Sequence, residues 1–258
     1  MSAKGWVLRP LSFAHRILRA LNSNKDYLLD YYRFRKMSVR KPERAPLRWK
    51  DRLPCLKDRD DSLSFDRHYI YHTGWAARAL AEIRPQRHID ISSTLYFCSI
   101  ISAFVPAQYF EYRKIDLQMD DLTCGSADLL ALPFPDDSVS SLSCMHVVEH
   151  IGLGRYGDRL DVDGDLKAMS ELKRVLSPGG SLLFVVPVGR SRIMFNGHRI
   201  YSHEQILEHF DGLRLREFAL IPDDPRDGGL IPRASAELVS QQSYGCGCYW
   251  FMKNETDH

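Results

Sequence analysis

The 258-residue chain lacks three features that would place it in other classes of protein. It has no run of about 18 uninterrupted apolar residues, the length that a membrane span requires, and we expect no secretory leader at its start. Its six cysteines form no CxxC pair. We therefore expect reduced packing thiols, no bound metal and a cytoplasmic location.

Charge is distributed unevenly along the chain. The net charge is +2, but residues 1–52 carry 14 Lys or Arg against 4 Asp or Glu, whereas the remaining 206 residues carry 21 against 29. We predict a basic, partly helical extension and linker over residues 1–62, and a folded domain over residues 63–258. The stretch from Trp6 to Leu21 predicts a basic amphipathic helix, which either packs on its own domain or binds a membrane surface.

The stretch between residues 132 and 188 predicts one βαβ unit. Residues 139–147 are β-capable, residues 165–176 have apolar side chains at helical spacing, and Gly179-Gly180 ends that helix. Residues 181–188 are almost all apolar, as in a strand buried on both faces of a parallel sheet. Ligands of open α/β sheets bind beyond the carboxyl ends of the strands, so the loops that follow these strands are expected to carry the chemistry.

His146, Glu149 and His150 end the first of these strands in an HxxEH sequence. On a helix, HxxEH is the inverted zinc-peptidase motif, but the residues before it are strand-like, so a zinc hydrolase is the least favoured interpretation. His150 is a candidate general base, with Glu149 orienting it or helping to bind a divalent cation. The alternative is that His150 only caps the strand end through structural hydrogen bonds.

Three segments resemble class I S-adenosylmethionine-dependent methyltransferases: LPFPDDSV, MHVVEHI and ELKRVLSPGGSLLFVVPV. With GLGRYGD, DGD, FNGHR and YGCG, residues 85–252 are similar to a methyltransferase-like family of unknown function found near bacterial surface-polysaccharide genes. The resemblance implies an α/β, Rossmann-like class I methyltransferase fold, a seven-stranded mostly parallel sheet with helices on both faces. It also implies methyl transfer from S-adenosylmethionine to an oxygen of a sugar or surface-polysaccharide precursor.

By this resemblance the cofactor site is formed by the loops after the first two predicted strands and by the segment of Asp128. Residues 87–91 form the first strand, and the loop after it contains Ser92-Ser93-Thr94 where the family pattern has glycines. Residues 105–117 form the second, with Asp116 at its carboxyl end to accept the ribose hydroxyls. Asp128 and Leu129 would contact the adenine. The predicted cofactor residues are Asp90, Ser92, Ser93, Asp116, Asp128 and Leu129.

Polar loops after the fourth and fifth strands predict the acceptor side. Their planar and cationic donors suit an acceptor with phosphate, carboxylate or many hydroxyl groups. The predicted substrate-binding residues are Arg155, Tyr156, Arg190, Arg192, Asn196, His198 and Arg199, with His146, Glu149 and His150 as catalytic residues.

The glycine-free loop also permits a different class of protein. A catalytically inactive methyltransferase-like scaffold in polysaccharide biosynthesis would dock a glycan enzyme, or the inner face of the membrane, through residues 1–52. We expect no nucleic-acid partner, because no nucleic-acid-binding motif occurs.

Overall fold

The computed structural model describes residues 11–41, 45–56, 65–113 and 115–255, with side chains from Lys25 onward. The chain divides into two compact units, Met1–Ser64 and Phe65–His258. The first contains helix α1 (Leu11–Ser38), and the ring of Tyr31 packs edge-on against Trp49. The predicted amphipathic pattern of Trp6 to Leu21 lies outside the described side chains. Within the described ranges, no helix combines the length and the hydropathy needed to cross a bilayer.

The second unit is built on an eight-stranded sheet in the order β3-β2-β1-β4-β5-β10-β8-β9. Its strands are β1 (His88–Asp90), β2 (Ala107–Glu111), β3 (Leu122–Ser126), β4 (Val139–Met145), β5 (Leu176–Val188), β8 (Leu213–Ile221), β9 (Ile231–Pro232) and β10 (Gly245–Lys253). The first five are parallel, and β10, β8 and β9 add antiparallel pairs. The mostly parallel α/β sheet is the one predicted, with the two-residue β9 as an additional edge strand.

Helices pack on both faces of this sheet, and a hairpin extends from it. The helices are α2 (Arg67–Ile83), α3 (Leu95–Ile101), α4 (Gly164–Val175), α5 (His203–His209) and α6 (Ala236–Gln241). The hairpin pairs β6 (Arg192–Met194) with β7 (His198–Ile200). Ser202 and Gln205 form a capping box at the start of α5, which satisfies two backbone N–H groups there.

The central strand β5 is buried on both faces, as its apolar sequence predicts. Leu182, Phe184 and Val186 pack into the core on the side of α4 and α5. Leu183 and Val185 point into the opposite core, with Trp75 of α2 among its members. Because successive side chains of a strand alternate between faces, only a continuous apolar run can fill two cores at once.

The second strand is shorter than its sequence predicts. Residues 105–117 were expected to form it, but β2 ends at Glu111, whose partner Ser126 is the last residue of β3. Beyond this pair the chain turns outward, and Tyr112 and Arg113 are exposed. Asp116 is also exposed and does not stand at the carboxyl end of the strand, so its predicted position was wrong. The acidic residue at that end is Glu111.

Candidate active site at the carboxyl ends of the parallel strands

Asp90, at the end of β1, lies in a closed network of hydrogen bonds. Its carboxylate accepts hydrogen bonds from the hydroxyls of Ser92 and Ser143 and from the thiol of Cys98, whose sulfur lies 3.0 Å from Oδ2. Burial raises the pKa of Asp90 to about 6, although the three hydrogen bonds act in the opposite direction. With no solvent exposure, Asp90 positions the loop that follows it and does not face a ligand.

The same network continues through His88. Nε2 of His88 lies 2.8 Å from Oγ of Ser143, and Nδ1 lies 2.8 Å from Oγ of Ser141. Since the Ser143 hydroxyl donates its proton to Asp90, Nε2 of His88 must donate to Ser143 while Nδ1 accepts from Ser141. Burial lowers the pKa of His88 to about 3, so the ring is neutral at neutral pH.

The loop after β1 does not require glycine at any position. No residue between 91 and 94 has a positive φ, so serine and threonine are accommodated without strain. The hydroxyl of Ser92 is buried on Asp90, whereas Ser93 is exposed and its Oγ lies 2.7 Å from the Tyr69 hydroxyl. Thr94 caps α3 by accepting from the amide of Tyr96. Of the two predicted serines, Ser93 is the one that faces outward.

Glu111 and the residues after β3 form the next part of the edge. The Glu111 carboxylate is half-buried and lies 3.0 Å from the guanidinium of Arg113. Asp128 is exposed, and its Oδ1 accepts a hydrogen bond from the amide of Leu130 at 2.9 Å. Leu129 is buried in the core. Glu111 and Asp128 thus place carboxylate oxygens at the ends of β2 and β3, whereas Leu129, which was predicted to contact the adenine, packs in the core.

The HxxEH residues lie on a strand end and a single 3₁₀ turn, Val148–His150, rather than on an α-helix. His146 adopts a left-handed backbone conformation, with φ of +56°. The inverted zinc-peptidase arrangement needs both histidines one turn apart on a helix, so the zinc-hydrolase interpretation does not fit. Glu149 instead lies between the two rings, with Oε1 2.9 Å from His146 Nδ1 and 3.9 Å from His150 Nε2.

The buried carboxylate of Glu149 is ionised and incompletely paired. Burial alone would raise its pKa, but the hydrogen bond from His146 and the electrostatic influence of the neighbouring His146 and His150 rings hold the pKa below its ordinary value. Its second oxygen, Oε2, is buried and has no hydrogen-bond partner among the described residues. This side of the site therefore holds a negative charge that can interact with a further donor or cation.

His150 presents one ring nitrogen to the site. Its Nδ1 lies 2.7 Å from the carbonyl oxygen of Gly197, which can only accept, so in the neutral ring Nδ1 carries the proton and Nε2 has the lone pair. Arg155 donates to the same carbonyl oxygen at 3.2 Å. The ring of Tyr156 stands edge-on to His150 at 5.9 Å, with 53% of the tyrosine exposed. The predicted base and two predicted acceptor residues are thus brought together.

The other predicted acceptor residues divide into structural and exposed groups. Arg199 is buried, and it donates to the Ile151 and Val162 carbonyl oxygens and pairs with Asp165, so it holds the preceding loop in place instead of binding substrate. Arg192 donates to two backbone carbonyl oxygens, those of Arg190 and Ser243. Arg190 and Asn196 are exposed, and Nε2 of the half-buried His198 has no partner among the described residues.

The sequence prediction missed a group of aromatic rings around His146. His68 and Tyr69 of α2 stack on His146 with ring centroids 5.5 and 5.4 Å away, and His72 stands edge-on at 5.1 Å. Tyr244 stacks on His68 from the other side. The sequence signal for this group is the run HYIYH at the start of α2, which contains His68, Tyr69 and His72.

Comparisons with known proteins agree with this architecture. A family described as "Caenorhabditis protein of unknown function, DUF268" matches residues 136–217. No curated protein matches the chain.

Among solved structures, the chain is similar to 1,6-didemethyltoxoflavin-N1-methyltransferase of Burkholderia thailandensis, with 11% identity over 98% of this chain and 94% of that one, and a TM-score of 0.52. It is also similar to the N-methyltransferase NodS of Bradyrhizobium japonicum, with 12% identity over 78% and 91% of the two chains and a TM-score of 0.50. A chain from the complex of the Haloferax volcanii Trm112 methyltransferase activator shares 20% identity over 75% and 92%, also at 0.50. At these identities the likeness establishes the fold, which is the class I methyltransferase fold.

Proposed function

We propose that the protein is an S-adenosylmethionine-dependent methyltransferase that methylates an oxygen of a sugar or surface-polysaccharide precursor. The observation that carries the proposal is the state of His150. Its Nδ1 proton is held by the Gly197 carbonyl oxygen, which leaves the Nε2 lone pair free at the edge of the sheet where this fold binds its ligands. A neutral imidazole in this state can accept the proton of a hydroxyl group.

The residues at the ends of β2 and β3 fit the adenosine half of the cofactor. The Glu111 carboxylate stands where an acid can accept two ribose hydroxyls, and the exposed Asp128 can contact the adenine. Ser93, which is exposed, would meet the methionine half, while Asp90 and Ser92 keep its loop in position. When bound, S-adenosylmethionine supplies the electrophilic methyl group.

His150 and Glu149 would act on the acceptor. The acceptor hydroxyl would give its proton to Nε2 of His150 as its oxygen takes the methyl group, whose bond to the cofactor sulfur breaks to leave neutral S-adenosylhomocysteine. The Glu149 carboxylate, 3.9 Å from Nε2, stabilises the positive charge that the ring then carries. The remainder of the rate enhancement comes from holding the two reactants in line.

The surroundings of His150 support a sugar-type acceptor with anionic groups. Arg155 and Arg190 are exposed cationic donors beside the strand ends, and Tyr156 offers a planar exposed ring of the kind that packs on sugars. At the tip of the β6–β7 hairpin, Met194 and Phe195 are 45% and 76% exposed, which suits a precursor that also carries an apolar group. The basic residues 1–52 support a peripheral contact with the cytoplasmic face of a membrane or with a glycan enzyme.

The test is methyl transfer by the purified full-length protein. It is incubated with S-adenosylmethionine labelled in the methyl group and a panel of nucleotide-linked and lipid-linked sugars, and labelled products are identified by mass spectrometry. We expect a labelled sugar from the wild type and at least about 100-fold less of it from His150→Ala in the same time.

An inactive scaffold is the second candidate, favoured by the buried Asp90 and the glycine-free loop. Complementation of a deletion strain separates the two functions. A scaffold would retain its cellular role in the His150→Ala variant, whereas an enzyme would lose it.

A further inference from the structure

We propose that His68, His146 and Cys246 form a binding site for a transition-metal ion of the zinc class. One ligand atom from each of the three residues lies within 4.8 Å of the other two. The residues come from the start of α2, the end of β4 and the start of β10, and they converge beside the carboxyl edge of the sheet. The proposal does not rest on methyl transfer, since a protein that transfers nothing can still bind the metal.

Two of these residues, His146 and Cys246, already have the spacing of metal ligands. Nε2 of His146 and Sγ of Cys246 are 3.5 Å apart. With Zn–N and Zn–S bonds of about 2.0 and 2.3 Å, two neighbouring ligands of a tetrahedral zinc ion are separated by roughly 3.6 Å. Both residues are buried, at 4% and 0% exposure, so the site is shielded from bulk water. An S–H···N hydrogen bond gives the same distance, and the experiment below separates the two interpretations.

Glu149 holds His146 in the orientation that a ligand needs. Its Oε1 accepts a hydrogen bond from Nδ1 of His146 at 2.9 Å, which directs the Nε2 lone pair toward Cys246. Metal-binding histidines usually have such a carboxylate partner, which fixes the ring and raises its basicity. The orphaned Oε2 of Glu149 adds negative charge next to the site.

A further imidazole, that of His72, supports the site. His72 is fully buried, its Nδ1 is bonded to the carbonyl oxygen of His68, and its Nε2 has no partner among the described residues. A buried unpartnered nitrogen beside this cluster is an independent indication that a group is bound there.

The ligand types select the metal. Two imidazole nitrogens and one thiolate favour zinc and its neighbours over magnesium or calcium, which prefer oxygen ligands. Three protein ligands also leave a fourth position open, as in catalytic zinc sites. The sequence predicted no zinc site, because a search for CxxC pairs detects only ligands that are neighbours in sequence.

The experiment is metal binding by the purified full-length protein after chelation and dialysis. Zn²⁺ binding is titrated against a chromophoric competitor, and Co²⁺ is titrated with its absorption spectrum recorded. We expect one Zn²⁺ per chain, a sulfur-to-cobalt charge-transfer band, and visible bands of tetrahedral intensity. No stoichiometric Zn²⁺, or a Co²⁺ spectrum without the sulfur band, would overturn the proposal, and this readout needs no variant.

Matched variants locate the metal. Cys246→Ser should lose Zn²⁺ binding and the charge-transfer band, whereas Cys248→Ser, which is equally buried on the same strand, should keep both. Glu149→Gln should weaken Zn²⁺ affinity by about 10 to 100-fold, because it alters the partner of a ligand and not a ligand itself. Unchanged Zn²⁺ affinity in folded Cys246→Ser would contradict the site.

Discussion

The Nδ1 nitrogen of His150 lies 2.7 Å from the carbonyl oxygen of Gly197, and this contact determines what the histidine can do. It joins the turn after β4 to the β6–β7 hairpin, two segments that are distant in sequence. Because a carbonyl oxygen cannot donate, the contact selects the tautomer with a free Nε2. The hairpin thereby takes part in the chemistry even if it does not touch the acceptor.

Removal of the His150 ring should reduce turnover without unfolding the protein. His150→Ala removes the proposed base, so we expect kcat for methyl transfer to fall by about 10² to 10⁴-fold. S-adenosylhomocysteine affinity should stay within a factor of about 3, since the cofactor residues lie on other strands. Initial rates with the acceptor found in the transfer screen provide the measurement. A variant with wild-type kcat would exclude His150 as the base.

The network around Asp90 gives a prediction about stability. Ser143→Ala removes a hydroxyl that donates to a buried carboxylate and accepts from His88, so the free energy of unfolding should fall by about 1–3 kcal/mol. Ser140→Ala, on the exposed face of the same strand, should change it by less than about 0.5 kcal/mol. Urea unfolding of both variants measures the difference. Equal losses of unfolding free energy in the two variants would mean that the hydrogen-bond network around Asp90 adds no stability of its own.

His88 should make the protein sensitive to acid. Its folded pKa of about 3 lies below the ordinary value of 6.5, so only the unfolded chain gains the proton as pH falls below 6.5. Between pH 7 and pH 5 this should lower the free energy of unfolding by about 2 kcal/mol. Asp90, with its raised pKa, acts in the opposite direction over the same interval.

Comparing the pH dependence of the free energy of unfolding between the wild type and His88→Gln separates the contribution of His88 from that of Asp90. Urea titrations at pH 7 and pH 5 should show a smaller loss of stability in the variant on acidification. If both proteins lose the same free energy of unfolding, His88 is not neutral in the folded state.

Two glycines in the loop after His150 should respond differently to the same substitution. Gly152 and Gly157 have φ of +79° and +81°, so alanine meets the same backbone cost at both. A Cβ at Gly152 would lie 2.1 Å from the Asp161 carbonyl oxygen, whereas none of the described atoms lies within 4 Å of one at Gly157. Thermal unfolding should show a clearly lower Tm for Gly152→Ala than for Gly157→Ala. Equal Tm values would mean that the loop adjusts freely.

Periodicity in the sequence was sufficient to predict most of the fold. The regular apolar spacing of α4 and the unbroken apolar run of β5 both depend on local patterns, and the structure contains them. The predicted end of β2 was wrong because apolar residues continue past Glu111 in the sequence, whereas the pairing with β3 stops at Glu111. Strand ends are decided by the partner strand, which a local pattern does not show.

The site was predictable only where its residues are close in sequence. His146, Glu149 and His150 were found as one motif, but His146 and Cys246 are 100 residues apart, and only the fold brings them together. Arg199 was expected to bind substrate because it is charged and follows a strand. Its donors are instead used by backbone carbonyl oxygens of the loop over the site, a role that has no sequence signature.

Calorimetric titration of S-adenosylhomocysteine into the purified protein is the most direct test of the central claim. We predict micromolar binding that is lost in Glu111→Gln, since the amide cannot accept two ribose hydroxyls as the carboxylate does. Asp116→Asn, beyond the end of β2, should bind as the wild type does. Absence of binding to the wild-type protein at millimolar ligand would contradict the claim that this fold functions here as a methyltransferase.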